Sequence, residues 1–178
     1  NYWYKKGLIN LPDEDDERTM YHHGRRILEE HGFKQYEISN FSIPDFECRH
    51  NIGYWKLKPY LGFGISAHSN IDSKRYWNHL SFRDYFKAIE NNTKPISGFE
   101  DIDKRLEIGE YMILGLRMNK GVIREEFQLK FNESLDELFS REIERNVKSG
   151  LLTDNKESIY LTEKGLDLSN QVEIDFLL

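Results

Sequence analysis

The only cysteine of the chain and two of its six histidines lie within residues 47–70, the stretch ECRHNIGYWKLKPYLGFGISAHSN. Cys48 and His50 are two residues apart, so an extended segment would direct both side chains to one face. With His68 or His79 added, they would form a ligand set for a metal ion or a haem iron. The alternative is a histidine that is hydrogen-bonded in the core, and the loose spacing alone favours that alternative.

Three small residues in the same stretch, Gly62, Gly64 and Ala67, match the G-x-G-x-x-A pattern of dinucleotide-binding folds. That pattern binds a dinucleotide only where a helix begins directly behind it. The residues that follow, HSNIDSKRYWN, are typical of a turn, so a dinucleotide site is disfavoured. Two alternatives remain: glycines that allow close packing at a strand, and a cofactor that lies against the glycine backbone.

Aromatic residues are dense around this stretch and could either stack on a flat conjugated ligand or form a core. The stretch shows neither strict alternation nor a helical period, which favours a loop, where binding residues concentrate. The aromatic residues concerned are Phe41, Phe46, Tyr54, Trp55, Tyr60 and Phe63.

The composition predicts a soluble globular protein with one large domain or two small ones, since 178 residues are 38% hydrophobic. No apolar run approaches the roughly 20 residues that span a bilayer, and NYWYKKGLIN lacks the apolar core of a signal peptide. A cytoplasmic location is therefore expected. A single cysteine excludes an intramolecular disulfide and a metal site built from several thiolates of this chain.

The two halves of the chain differ in charge. Residues 1–99 contain 14 Lys and Arg against 13 Asp and Glu, whereas residues 100–178 contain 11 against 18. All histidines, all tryptophans and the cysteine lie in the first half. We therefore expect ligand chemistry in the first half and a scaffold, lid or partner surface in the second.

The first half is expected to alternate helix and strand. Pro12 and the acidic residues behind it open a helix that ends near Gly32. Strands are predicted at 33–39, at 60–66 and within RYWNHL, a helix runs from Ser81 to before Pro95, and a loop covers 93–101.

The second half predicts helices followed by a two-stranded wing, an order similar to a winged helix. Helices are expected at 103–118, at 124–131 and from Ser134 to Gly150, with a hairpin at 151–162 and a last helix behind it. The helix LDELFSREIERNVKSG mixes acidic with basic residues in an acidic half, whereas phosphate binding needs a surplus of positive charge. Nucleic acid binding is therefore disfavoured, and a structural or interaction role is favoured.

Six motifs occur in order along the chain: YEISNF (36–41), RHNIGYW (49–55), YLGFGISAHS (60–69), RYWN (75–78), LGLRMNKG (114–121) and LTEKGLDLSNQV (161–172). With these motifs, nearly the whole chain resembles the C-terminal part of the oxygen-independent coproporphyrinogen III oxidase-like radical SAM proteins, in the branch of HemW-type haem chaperones. The motif HNIGYW is similar to the H-N-x-x-Y-W signature that separates this branch from true coproporphyrinogen dehydrogenases.

The resemblance implies an α/β fold in which residues 1–98 form the terminal βα units of a radical SAM partial barrel. Residues 99–178 would form a small helical domain with a wing. It also implies cofactor-binding residues, with His50 as the haem iron ligand and Gly62 and Gly64 allowing a strand to approach SAM or the porphyrin. The implied residues are His50, Asn51, Tyr54, Trp55, Gly62, Gly64 and His68.

Members of this family hold a [4Fe-4S] cluster through a C-x-x-x-C-x-x-C motif, which this chain does not contain. The resemblance therefore implies that SAM and the cluster belong to the full-length protein and that this chain is not catalytic alone. It implies a haem chaperone that delivers haem to an acceptor protein. The alternatives are an oxygen-independent coproporphyrinogen III oxidase and a protein-interaction module, and a homodimer is expected for a barrel cut between strands.

Overall fold

The computed structural model describes residues 2–177 and has a mixed α/β architecture. The chain divides into two compact units, Asn1–Cys48 and Arg49–Leu178. The strands of the described residues pair only in antiparallel fashion. A domain boundary between residues 98 and 99 stays a prediction.

The first unit contains two helices and a two-stranded sheet. Asp13 caps the long second helix by accepting a hydrogen bond from the amide of Asp16, and four acidic residues fill its first turn, which confirms the helix predicted there. The strand predicted at 33–39 ends earlier and turns into a second strand. The elements are α1 (Tyr2–Lys5), α2 (Glu14–Glu30), β1 (Lys34–Glu37) and β2 (Asn40–Ser42).

A polar network joins α2 to β1. The Tyr21 hydroxyl donates to the carbonyl of Ile38 at 2.9 Å and accepts from the Gln35 amide at 2.6 Å. Glu37 is fully buried and accepts hydrogen bonds from the Ser39 amide at 2.9 Å and from the Asn40 side chain. Buried polar groups of this kind specify one register, because each would be costly without its partner.

The second unit begins with a short helix, a hairpin, a helix and a third strand that completes the sheet in the order β3-β4-β5. Ser81 caps the helix of this region by accepting from the Asp84 amide, as the sequence predicts. The elements are α3 (Arg49–Trp55), β3 (His68–Ile71), β4 (Lys74–Asn78), α4 (Phe82–Glu90) and β5 (Ile96–Asp101).

One strand predicted here is wrong, whereas the strand predicted within RYWNHL is confirmed by β4. Residues 60–66 form a loop, held to β3 by a single bridge between Tyr60 and Asn70, and the segment read as a turn is the β3–β4 hairpin. The loop predicted at 93–101 contains β5. In the sequence, Gly98 favours a loop over a strand. In the structure this glycine lies against Trp77, and a Cβ at position 98 would come within 2.6 Å of the indole ring.

The rest of the second unit is helical apart from a three-stranded sheet of order β6-β8-β7. The predicted helices and the hairpin are confirmed, with side-chain caps at Asp103, Ser134 and Thr162. The last predicted helix is two helices, broken at Leu168. The elements are α5 (Lys104–Leu116), β6 (Val122–Ile123), α6 (Arg124–Phe131), α7 (Leu135–Lys148), β7 (Leu152–Asp154), β8 (Ser158–Leu161), α8 (Glu163–Asp167) and α9 (Ser169–Ile174).

The main apolar core lies among α5, α6, α7 and the C-terminal helices. Tyr111 packs edge-on against Phe127 and Phe131, and Phe139 packs against Phe176 at 5.3 Å between ring centroids. Burial of such side chains stabilises a fold by roughly 1.5–3 kcal/mol each. The fully buried apolar residues include Met112, Leu116, Val122, Phe127, Phe139, Ile159, Val172 and Phe176.

Arg124 joins three elements of this region. Its guanidinium donates to Asp136 on α7 at 2.8 and 2.9 Å and to Asp154 on β7 at 2.9 and 3.0 Å. These hydrogen bonds raise the pKa of Arg124, chiefly through Asp136. The forked contact fixes the hairpin against the helices. Among residues 2–177, no helix combines the length and apolar character that crossing a bilayer requires.

Candidate functional site

The motif RHNIGYW forms α3, so the geometry expected for Cys48 and His50 is wrong. Cys48 precedes the helix and is exposed, and the chain from Arg49 onward is helical rather than extended. In a helix, residues four apart share a face. His50 therefore lies beside Tyr54, with ring centroids 4.8 Å apart in an edge-to-face contact.

A second ring contact continues from Tyr54 to Tyr60, at 4.7 Å and again edge-to-face. Tyr60 follows α3 on the loop that the bridge to Asn70 holds against β3. The three rings form what we call the aromatic row, consisting of His50, Tyr54 and Tyr60. His50 is at its exposed end, while Tyr54 and Tyr60 are partly buried. Because the imidazole of His50 is exposed, one of its ring nitrogens could donate a lone pair to an iron ion.

Trp55 lies on a different part of α3 and packs against α5. Arg117, directly behind α5, places its guanidinium 4.6 Å from the Trp55 ring centroid. The indole N–H of Trp55 is buried and has no hydrogen-bond partner among residues 2–177. Burial raises the pKa of Glu173, on α9, while the charge of Arg117 opposes this. The contact with Arg117 therefore anchors α3 against the end of α5.

Lys56 adds a polar contact between α3 and α6. Its ammonium donates to both carboxylate oxygens of Glu126 at 3.0 Å. Both side chains are more than a third exposed, so the pair contributes less than about 1 kcal/mol. Together with Trp55 it orients α3 so that His50 points away from the core.

A cleft of about 230 Å³ opens beside the aromatic row. Within it the Arg75 guanidinium donates to both oxygens of Glu110 at 2.6 Å and contacts Glu100 at 3.2 Å. The hydrogen bond that Arg75 donates to Glu110 raises the pKa of Arg75. Burial and the neighbouring Tyr54 raise the pKa of Tyr60. The cleft is lined by Tyr54, Leu57, Lys58, Tyr60, Asn70, Arg75, Glu110, Ile113 and Leu114.

The local backbone structure explains why glycine occupies positions 62 and 64 of the loop. A Cβ at Gly62 would lie 2.1 Å from the carbonyl oxygen of His68, and the Gly62 amide donates to the Ser69 hydroxyl at 3.0 Å. Gly64 has a φ of +102°, and its carbonyl accepts from the Asn78 side chain at 2.8 Å. Close packing of the chain on itself is thus the alternative that applies to Gly62.

The other predicted site residues do not join His50. His68 is exposed on β3, with its ring centroid 5.9 Å from that of Trp77. Asn51 is half-buried on α3. Among residues 2–177, no three His, Cys, Asp or Glu side chains come together in a way that could hold a metal ion. The chain enters β3 after Ala67, where the dinucleotide pattern requires a helix.

Sequence reasoning missed Lys58, Arg75, Glu110 and Arg117 as parts of this region. Arg75 and Arg117 lie inside the motifs RYWN and LGLRMNKG, but the motifs alone assign them no role. Glu110 carried no such signal, because it lies in a helix whose other residues indicated only a core. Its place next to Arg75 comes from the tertiary fold.

Known proteins match this chain along almost its full length. Residues 102–168 match the family described as the HemN C-terminal domain. "Heme chaperone HemW" of Lactococcus lactis is 37% identical over 174 residues, which are 98% of this chain and 45% of the relative. "Heme chaperone HemW" of Bacillus subtilis is 35% identical over 97% of this chain and 46% of the relative. The chain thus spans about half the length of these curated relatives.

A solved structure shares the fold. It is titled "Coproporphyrinogen III oxidase (HemN) from Escherichia coli is a Radical SAM enzyme", and it matches with a TM-score of 0.74 over 94% of this chain and 42% of that one. At 17% sequence identity this likeness concerns the fold alone. Residues 102–168 thus belong to the family described as the HemN C-terminal domain, and almost the whole chain is similar to proteins named "Heme chaperone HemW".

Proposed function

We propose that this chain is part of a haem chaperone, which binds haem and delivers it to a haem-requiring acceptor protein. The observation that carries the proposal is the placement of His50: exposed, in the signature helix, with its ring against Tyr54. Relatives that carry the printed name "Heme chaperone HemW" match nearly the whole chain, which supports the same function.

In this proposal His50 binds the haem iron through a neutral imidazole nitrogen. Tyr54 supports the imidazole ring and offers an aromatic edge to the macrocycle. Asn51 and His68 are further candidate contacts. Trp55, Gly62 and Gly64 contribute by shaping the site, because each has a close partner within the chain or a backbone angle that explains it.

The architecture proposed for the longer protein is a radical SAM partial barrel that ends in residues 1–98, followed by a winged-helix-like domain at 99–178. The fold likeness to the Escherichia coli enzyme supports the first part. The order α5, α6, α7 and then the β7–β8 hairpin supports the second. We also propose a cytoplasmic location and a homodimer.

This chain does not fit an iron-sulfur cluster of its own. It has one cysteine, and Cys48 is exposed. Three thiolates are needed for the cluster of this family, so any cluster and SAM chemistry would belong to another part of a full-length protein. We therefore assign no catalytic residue to this chain.

The alternative function is oxygen-independent coproporphyrinogen III oxidation, which the HemN-like fold and the HemN C-terminal domain favour. A full-length protein that contains this chain would be incubated with coproporphyrinogen III, SAM and a reductant, and separately with haemin. We expect haemin binding, followed by transfer to an apo-acceptor, without porphyrinogen turnover. Turnover without haemin binding would replace the chaperone by the oxidase.

A third candidate is a protein-interaction module in which residues 100–178 dock on a partner. The acidic charge of this part, 18 acidic against 11 basic residues, favours a basic protein surface. In the chaperone proposal that partner is the haem acceptor. Retention of an unmodified acceptor by the chain in a pulldown, with and without haemin, separates a haem-dependent interaction from a constitutive one.

A further inference from the structure

The cleft beside the aromatic row is too small to enclose a porphyrin. Its volume of about 230 Å³ is below the roughly 300–1,000 Å³ of pockets that enclose drug-sized ligands. Its lining combines the apolar side chains of Leu57, Ile113 and Leu114 with phenols and charged groups. Such a cleft suits one arm of a ligand whose main body lies outside.

The charges that face the cleft come from three elements and do not balance. Among the residues that line it, Arg75 on β4 and Glu110 on α5 neutralise each other through two contacts of 2.6 Å, while Glu100, which also contacts Arg75, lies outside the lining. Lys58, on the loop behind α3, lines the same cleft and is exposed. Within residues 2–177, no ion pair joins Lys58 to a carboxylate. The cleft therefore has one cation available for an anionic ligand group.

Two phenols add hydrogen-bond donors. The hydroxyls of Tyr54 and Tyr60 have no hydrogen-bond partner in the described part of the chain. Burial raises the pKa of Tyr60, so its hydroxyl keeps its proton at neutral pH and can donate to a carboxylate oxygen. The combination of a free ammonium and two free O–H donors is typical of carboxylate recognition.

One side chain, Tyr54, links the cleft to His50. Tyr54 contacts the His50 ring at 4.8 Å and also lines the cleft. A ligand whose iron binds His50 can therefore extend a flexible arm past Tyr54. Haem carries such arms, since two of its edge substituents are propionates.

We propose that this cleft recognises a propionate carboxylate of the haem, with Lys58 as its counter-ion and the Tyr54 and Tyr60 hydroxyls as donors. The inference rests on the haem-binding function proposed above. It assigns the orientation of the macrocycle: the propionate edge points toward Lys58 and the apolar vinyl edge points away from it.

The test compares haemin with haemin dimethyl ester, in which both carboxylates are esterified. Each would be titrated into the 178-residue chain and into Lys58→Met, with Lys58→Arg as a charge-retaining variant. Lys120→Met is the matched control, because Lys120 is an exposed lysine outside this cleft. Dissociation constants would be measured at the Soret band at low and high salt.

We expect the wild-type chain to prefer haemin over the ester by roughly two- to fivefold, the range of an exposed charge pair. The preference should vanish in Lys58→Met, persist in Lys58→Arg and Lys120→Met, and weaken with salt. Equal affinity for both ligands, or a preference that survives in Lys58→Met, would overturn the inference and leave haem binding intact. Failure of both ligands to bind would overturn the proposed function together with it.

Discussion

At the scale of single residues, one short motif performs two tasks. His50 is exposed at the end of the aromatic row, whereas Trp55 packs on Arg117 with its indole N–H buried. The exposed residue is available to a ligand, and the packed residue fixes the helix that presents it. If His50 binds haem as proposed, substitution of Trp55 would weaken that binding indirectly, through the position of α3.

The residues of the site could be predicted from the sequence only where the motif names them. His50 and Tyr54 are candidates because they lie in one signature. The interpretation of Cys48 and His50 as neighbours on a face failed because it assumed an extended chain where α3 forms. Glu110 could not be found, because only tertiary packing brings it to Arg75.

Tyr111 predicts a pH dependence of stability. It is 7% exposed, and burial raises its pKa to about 12 from an ordinary value of 10.0. Between these values the unfolded chain releases the phenolic proton while the folded chain keeps it, so the free energy of unfolding falls as the pH rises from about 10 to about 12. The loss should reach about 2 kcal/mol.

Tyr111→Phe is the control, since it keeps the ring contacts with Phe127 and Phe131. Urea unfolding would be measured for both proteins at several pH values. The difference between their free energies of unfolding should change across this window. A constant difference from pH 9 to pH 12 would show that Tyr111 does not titrate as expected.

At the scale of elements, most helices and the β7–β8 hairpin could be predicted from the sequence, whereas α3, β3 and β5 could not. Helix ends follow from side chains that cap the backbone locally, such as Asp13, Ser81, Asp103 and Ser134. The strand β5 was missed because it contains a glycine, which here makes room for Trp77 on the neighbouring strand. Cross-strand packing of this kind leaves no local pattern.

The loop between α3 and β3 offers a test of two glycines. Gly62→Ala should lower the free energy of unfolding by about 3 kcal/mol, because its Cβ meets the carbonyl of His68. Gly64→Ala should cost about 1 kcal/mol, since only the positive φ is strained and the space is open. Urea denaturation measures both.

Haemin affinity of the two folded variants provides the control. If the glycines shape the loop, both variants lose stability and the fraction that remains folded still binds haemin. Unchanged stability combined with weaker haemin binding in Gly62→Ala would instead indicate direct contact between the ligand and this backbone.

At the scale of the whole chain, apolar burial is uneven. The core lies in the C-terminal helices, whereas α4 has no buried residue. Phe82 and Phe86 are stacked on its surface at 65% and 53% exposure. Apolar side chains clustered on one exposed face mark a contact surface more often than a solvated one.

We expect the 178-residue chain to self-associate through this face of α4. The double substitution Phe82→Ser and Phe86→Ser should shift sedimentation velocity profiles toward monomer without a large change in thermal stability. Leu129→Ser, at an exposed position on α6, is the matched control and should leave association unchanged. A wild-type chain that stays monomeric at high concentration would refute the expectation.

The central claim is that haem binds this chain at His50. The most direct measurement is a haemin titration of the 178-residue chain followed at the Soret band, in parallel with His50→Ala and with His23→Ala as the control on the surface of α2. We expect saturable binding in the wild type and in His23→Ala, with at least about a tenfold loss in His50→Ala, because the loss of even an outer-shell partner of a metal ligand typically costs about tenfold or more. Equal binding by His50→Ala and the wild type would contradict it.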